Sequence, residues 1–239
     1  MPHIRGNREI QHDVLVALAE CQNHRKWFAG FAKPYLGDSP LEIGSGLGDY
    51  AREWIPLVSS FTATDADPVT VLELKKAMAE FSQVSVSQVA LPAEDRADHS
   101  CVIAFNVLEH IEDDVDALRS MGHLLRPGGY VVLVTPAFPF AMSPVDIATG
   151  HVRRYTKRTM RAALTSAGLD IVDVRYANSL GLLCYYAFTS LLRRTPSQGG
   201  TMSVYDKLVV PVVKFGERII GRPPFGQSVV AVARVAADR

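Results

Sequence analysis

Three cysteines in 239 residues, at positions 21, 101 and 184, are too few and too scattered for a disulfide framework or a zinc site. They point to a reducing compartment. An excess of charge is also missing: 25 basic against 25 acidic residues give a formal net charge of zero. Such a chain has no global field for nucleic acid, and any anion site must be local. The opening stretch "MPHIRGNREIQHDV" lacks the apolar core of a secretion signal. The longest apolar stretch, "LGLLCYYAFTSLL" from Leu180 to Leu192, falls short of the roughly 18 to 20 residues that span a bilayer. No internal repeat or low-complexity segment stands out. These absences predict a cytoplasmic protein with no transmembrane segment and no nucleic-acid partner.

What is present is 48% apolar residues, in short runs that alternate with amphipathic stretches. Residues 8 to 33 place Ile10, Val14, Leu15, Leu18, Trp27, Phe28 and Phe31 at helical spacing, as a helical lead-in. "SPLEIGSG" reads as a strand and turn, "DYAREWIPLV" as a helix, and "SFTATDADP" as a second strand closed by acids. Asp67 and Pro68 form a helix start, an N-cap followed by proline at the first helical position. The helix "VTVLELKKAMAEF" is expected to stop near Ser82. "VSVSQV" and "SCVIAF" are strands three and four, and "YVVLVTP" is strand five. Between the last two, "DDVDALRSMGHLLRPGG" reads as a helix with an acidic start and an Arg-Pro-Gly-Gly stop. Beyond Pro136 come a loop, a basic stretch, a helix, the strand "LDIVDVRYA", two apolar helical segments and a last strand, "QSVVAVARV". Strands alternating with helices imply a mostly parallel sheet covered on both faces.

The stretch "LEIGSGLGDY", residues 41 to 50, brings bare backbone N–H groups close to whatever sits at the following helix start. Gly44, Gly46 and Gly48 form G-x-G-x-G, whereas a dinucleotide fold needs G-x-G-x-x-G or alanine. Asp49 occupies the third position, and a carboxylate there opposes a pyrophosphate. The lysine and Ser/Thr pair of a nucleoside triphosphate loop is missing too. Asp65 closes strand two, 17 residues after Gly48, where a carboxylate can take both ribose hydroxyls. A ribose site without a pyrophosphate site fits a nucleoside cofactor such as S-adenosylmethionine. Taken singly, the glycines also read as a bare turn and Asp65 as a helix cap.

The series "LEIGSGLGDY", "TATDADP", "FNVLEHIEDDVDALRSMGHLLRPGGYVVLVTP" and "GHVRRYT" resembles class I S-adenosylmethionine-dependent methyltransferases of the bacterial small-molecule kind, types 11 and 12. The resemblance runs from Trp27 through "PPFGQSVVAVARV". It implies that Glu42, Gly44, Ser45, Gly46 and Gly48 line the methionine and ribose side of the cofactor. It places Asp65 on the ribose, Ala66 against the adenine, and Asn106 and Val107 near the sulfonium and its methyl group. Where relatives carry an acid near the adenine amine, this chain has Gln88; Ser100 replaces an Asp at the start of strand four. Val152 stands where the family's "GHYRRY" has Tyr.

Methyl transfer from a sulfonium is an in-line displacement in which positioning supplies much of the rate. It needs no metal, and no residue cluster shows metal-ligand spacing, so no metal is expected. A hydroxyl acceptor gains from a general base. His110, beside Glu109 in "NVLEHIED", and His151, which opens "HVRRYTKR", are the candidates, with a backbone-bonded loop histidine the alternative for His110. Arg153, Arg154, Lys157 and Arg158 cluster at the start of the helix capped by Thr156, where cations oppose the helix dipole. Either an anion sits there, or neighbours such as Asp146 neutralise them, or they point into water. Trp27, Arg153, Arg154, Tyr155 and Tyr185 are the expected acceptor contacts, with Tyr186 and Phe188 joining Tyr185 in an apolar wall.

The fold expected is α/β: a Rossmann-like, seven-stranded, mostly parallel sheet with helices on both faces, an N-terminal helical lead-in and C-terminal helical inserts. Residues 1–239 read as one methyltransferase domain, with 1–36 a cap, 37–136 the cofactor core and 137–239 the acceptor side. The expected reaction converts S-adenosylmethionine to S-adenosylhomocysteine while methylating a hydroxyl of a sugar or specialised metabolite. C-methylation of a prenyl diphosphate and a non-catalytic, cofactor-binding partner subunit are the alternatives. A monomer or homodimer is expected, with an acceptor that carries negative charge as one option and a peripheral membrane contact through the inserts 178–192 and 204–220 as another.

Overall fold

Seven strands, most of them rich in buried side chains, set the architecture. A computed structural model describes residues 6–93, 97–187 and 201–237. The strands are β1 (Leu41–Ile43), β2 (Phe61–Asp65), β3 (Val84–Gln88), β4 (His99–Phe105), β5 (Leu125–Pro136), β6 (Asp170–Ala177) and β7 (Ser228–Arg234). They form one sheet in the order β3-β2-β1-β4-β5-β7-β6. The first five pair in parallel, while β7 runs antiparallel to both β5 and β6.

The helices are α1 (Arg8–Ala19), α2 (Gln22–Ala32), α3 (Ala51–Trp54), α4 (Pro68–Met78), α5 (Asp114–His123), α6 (Pro144–Thr149), α7 (Lys157–Ser166), α8 (Ser179–Tyr186), α9 (Thr201–Val204) and α10 (Val210–Ile220). Strand side chains alternate between faces, so each face builds its own core. Val102 and Ala104 of β4 pack with Leu118 and Met121 of α5 and Met160 and Leu164 of α7. Cys101, Ile103 and Phe105 face the other way, onto Phe28, Trp54, Leu74 and Val213. Among the described residues no helix is long and apolar enough to cross a membrane.

Three boundaries differ from the sequence reading. The lead-in is two helices, broken at buried Cys21. The helix after the glycine turn lasts only four residues before a 3-10 turn, Ile55–Leu57, where Pro56 has no N–H to continue an α-helical ladder. The helix expected to run to the Arg-Pro-Gly-Gly stop ends at His123, because Leu125 already pairs with His99. Residues 126–129 bulge out before Tyr130 rejoins β4 opposite Cys101. In the last insert, residues 201–220 run as one helical rod with a π-helical turn at Tyr205–Val209. Pro211, four residues after Lys207, cannot donate to its carbonyl, which accounts for the widened turn.

Candidate active site

The carboxyl ends of β1, β2, β4 and β5 all open on one edge of the sheet, the edge at which open α/β sheets bind ligands. On β1, Ile43 leads into Gly44 at φ +71° and Gly48 at φ +82°, conformations that L side chains rarely adopt. A Cβ placed at Gly44 would lie 2.6 Å from Val107 Cγ2, so the glycine turn and the segment after β4 are in direct contact. A Cβ at Gly48 would collide with Met78, which shows that this glycine seats the turn on α4. Ser45 locks the turn to β2: its N–H donates to the Thr64 carbonyl at 2.7 Å, and its Oγ accepts from the Thr64 N–H at 3.1 Å.

Asp65 ties two loops together, its Oδ2 accepting from the Gly46 N–H at 3.2 Å and its Oδ1 from the Asp67 N–H at 2.9 Å. Burial raises its pKa, and those backbone bonds hold it back. Gln88, the replacement for the family's acid, is exposed and donates to the Ala66 carbonyl at 2.9 Å. Asn106 sits at φ +54°, a left-handed conformation in which asparagine is among the better tolerated residues, and its N–H donates to the Val134 carbonyl. Asp49 does not stand alone at the helix start: Arg25 of α2 lies 3.3 Å from it and equally close to Glu53. Arg25 therefore blunts the repulsion of a pyrophosphate by Asp49. Behind the turn lies a second carboxyl, Glu42, fully buried on β1.

Glu42 also shows that the turn suits a cation. Its Oε2 has no hydrogen-bond partner, and burial pushes its pKa up to about 8 despite the Ser45 hydroxyl, with Asp65 and Asp49 adding repulsion. A buried carboxyl short of a partner matches the ammonium of an amino acid. The folded state holds this proton from the ordinary glutamate range, about 4.3, up to about 8. Through that window the unfolded state has lost the proton, so stability falls as pH rises. Glu42→Gln is therefore expected to stabilise the free protein by about 2 kcal/mol at pH 7, less than the full linkage because the amide is also short of a partner. The gain should vanish near pH 4. Thermal melts of both proteins across that range measure it.

Past β4, Asn106 and Val107 lead into a 3-10 turn, Leu108–His110. Glu109 in that turn is fully buried, and neither carboxylate oxygen has a hydrogen-bond partner. Burial raises its pKa to about 7, opposed by His151 and Arg154. The Glu109 carbonyl accepts from the Val152 N–H at 2.8 Å, which draws the segment 151–155 alongside. His151 then stands with Nε2 3.9 Å from Glu109 Oε1 and Nδ1 3.0 Å from Asp146 Oδ1. His110 meets the His151 ring edge to face at 4.6 Å. Its pKa is lowered to about 4, by burial first and then by His151. Glu109, His110 and His151 each offer a ligand atom, all within 4.8 Å of one another, a two-histidine, one-carboxylate set. These three come together from two separate loops, so the spacing along the chain does not reveal that they can hold a divalent metal.

Asp146 is the residue that sequence reasoning underrated. Its α6 starts with a capping box, in which Ser143 Oγ accepts from the Asp146 N–H and Asp146 accepts from the Ser143 N–H at 2.6 Å. Burial alone would raise its pKa, but His151 and Arg154 outweigh that and hold it well below the usual carboxylate range. "SPVD" is a readable helix start, but its pairing with His151 and Arg154 is tertiary.

Three of the four cations expected to mark an anion site have partners within the protein. Arg154 is buried, forks onto both oxygens of Asp146 at 2.9 to 3.2 Å, donates to the Ala137 carbonyl and lies over the Tyr185 ring. Arg153 pairs with Asp114 at 2.8 Å and donates to the Glu112 carbonyl. Lys157 lies over the Tyr176 ring. Tyr155 points into the core, with its hydroxyl donating to Asp114 at 2.8 Å. Trp27 is likewise a core residue, packed on Phe28 and Phe31. Tyr185 lies closest to the charged cluster, with its hydroxyl 2.6 Å from Ser143 Oγ and 3.0 Å from Asp146 Oδ2. Its pKa is pushed up to about 12, by burial and then Asp146. Phe188 lies outside the described residues.

A family model described as "Methyltransferase domain" matches residues 41–131, which span the glycine turn, Asp65 and Glu109. That match and the shared fold support a class I S-adenosylmethionine-dependent methyltransferase. The ubiquinone biosynthesis O-methyltransferase of Methylocella silvestris is 28% identical over 158 residues, covering 59% of this chain and 61% of that one. This chain thus spans less than two thirds of that relative's length. Among solved structures, geranyl diphosphate methyltransferase in complex with S-adenosylmethionine shares the fold at a TM-score of 0.60 and 14% identity, over 86% of this chain and 83% of that one. The [4+2]-cyclase SpnF superposes with a TM-score of 0.59 at 17% identity, over 89% and 81%. A cyclase on the same fold shows that the reaction must be argued from the site.

Proposed function

We propose that this chain transfers a methyl group from S-adenosylmethionine to a hydroxyl of a small molecule, a sugar or specialised metabolite. The observation that carries the proposal is the row of buried Glu109, partly exposed His151 and buried Asp146 beyond the end of β4, beside the Val107 that touches the glycine turn. The donor, when bound, supplies an electrophilic methyl group. Glu42 is suited to its ammonium, the Gly44–Gly48 turn to its amino acid portion and Asp65 to its ribose. His151 takes the proton of the acceptor hydroxyl on Nε2 as the oxygen forms its new bond to carbon. Asp146, with Oδ1 3.0 Å from Nδ1, balances the charge that appears on the ring, the logic of a base paired with a carboxylate. The relative's name, an O-methyltransferase, supports oxygen as the methylated atom. A prenyl diphosphate acceptor loses its support, since Arg153 and Arg154 already hold carboxylates.

The test is transfer of labelled methyl from S-adenosylmethionine to a panel of sugars, catechols and phenols. Transfer to at least one hydroxyl compound is expected. Binding of S-adenosylhomocysteine with no transfer anywhere would favour a non-catalytic partner subunit.

The partnerless oxygens of Glu109 favour a second reading, in which Glu109, His110 and His151 hold a divalent cation that acidifies the acceptor hydroxyl. Dialysis against a chelator separates the two. Activity that survives supports His151 as the base, and activity that is lost and then restored by a divalent cation supports the metal.

A further inference from the structure

The helical rod 201–220 has two faces of opposite character. Inward, Val210 and Val213 are buried in the core. Two carboxylates clamp that face in place. Asp206 accepts from the N–H groups of Asn23 and His24, at the start of α2, at 3.0 and 2.7 Å. Glu217 accepts from those of Asn178 and Ser179, at the start of α8, at 3.3 and 2.8 Å. Rolling the rod to hide its other face would break both clamps, and each consists of charge-assisted bonds.

Outward, Val204, Leu208, Val212, Phe215 and Ile219 are each more than half exposed. Their spacing of four, four, three and four residues puts them in one stripe along the rod. Lys207, Lys214 and Arg218 are exposed and fall beside that stripe on a single flank. Both acids of residues 204–220 are turned inward as clamps. On a chain of zero net charge, this is a local concentration of cations against bare apolar surface.

We propose that this face rests on an anionic phospholipid surface. The apolar stripe enters the boundary between headgroups and acyl chains, and the cation row meets the lipid phosphates. Charge argues against a second copy of this chain as occupant. A twofold contact through the stripe would bring two rows of cations together without an acid on either outer face. The proposal does not depend on methyl transfer.

Flotation of the full chain with vesicles tests it. Binding is expected with phosphatidylcholine vesicles that contain phosphatidylglycerol, weaker binding with phosphatidylcholine alone, and loss of the difference at high salt. Lys214→Ser with Arg218→Ser should weaken binding roughly 25-fold, about five-fold per cation. Phe215→Ser with Ile219→Ser should abolish flotation while leaving the melting temperature and S-adenosylhomocysteine binding unchanged. Absence of binding to the anionic vesicles, or binding indifferent to both pairs of changes, overturns the proposal. So does a concentration-dependent dimer that the Phe215/Ile219 pair dissolves, because the stripe would then belong to a second copy.

Discussion

His151→Ala should lower kcat by about 100- to 10,000-fold, the range spanned by a positioned general base, and leave the affinity for S-adenosylhomocysteine unchanged. On the proposed mechanism the rate falls because Nε2 takes the acceptor proton, with Nδ1 lying 3.0 Å from Asp146 Oδ1. Affinity is spared because the neighbours of His151 are Glu109, His110 and Asp146, none of them in the glycine turn. Rate and affinity are read separately, from single-turnover kinetics and from calorimetry with the product. Imidazole added to His151→Ala should restore part of the rate if the ring acts as the base. His110→Gln should cost much less, since that ring meets His151 only edge to face. Equal losses at both histidines, with no rescue, would favour the metal reading instead.

Arg154→Met should destabilise the fold by about 3 to 5 kcal/mol, the usual cost of removing one partner of a buried ion pair. For a chain of this length that is a fall in melting temperature of roughly 10 °C. Arg154, together with His151, lets Asp146 be buried and charged at the same time. Adding Asp146→Asn to Arg154→Met should return about 2 kcal/mol, because asparagine keeps an acceptor for the Ser143 N–H without the charge. The double variant should nevertheless stay as slow as His151→Ala, having lost the carboxylate that balances the charge on the ring. Thermal melts with methyl-transfer rates on the same three proteins separate support of the fold from support of the histidine. An Arg154→Met protein as stable as the parent would show that Asp146 is neutralised some other way.

How much of this was legible beforehand depended on whether a contact is local in the chain. Gly44, Gly46 and Gly48 all take positive φ, as a three-glycine turn after an apolar strand suggests, and Asp65 ends its strand within reach of that turn. The sheet was equally readable, since most strands carry a short apolar run and β3 alternates valine with polar residues. Side-chain partners across the fold were not. Arg25 on Asp49 joins residues 24 apart, and Arg153 reaches Asp114 over 39. Four cations near a helix start look identical in the sequence whether they await an anion or, like Arg153 and Arg154, already have carboxylates. Trp27 and Tyr155 illustrate the same limit, because an aromatic residue suits a core and a pocket equally well. The 123–129 boundary was missed for a related reason. Pro127 and Gly128 signal a break, but whether a helix or a strand precedes them is decided by His99, some thirty residues upstream.

The placement of β7 has a consequence for biosynthesis. β6 lies at the sheet's edge and pairs with β7 alone, and β7 also lines the free side of β5. Fifty residues separate the end of β6 from the start of β7. While the ribosome makes that interval, β5 has an open edge and β6 has no neighbour to bond. Two adhesive strands are thus on display during the part of translation that also produces the amphipathic rod. A pause between codons 178 and 228 should therefore raise aggregation of the nascent chain more than a pause of equal length before codon 125.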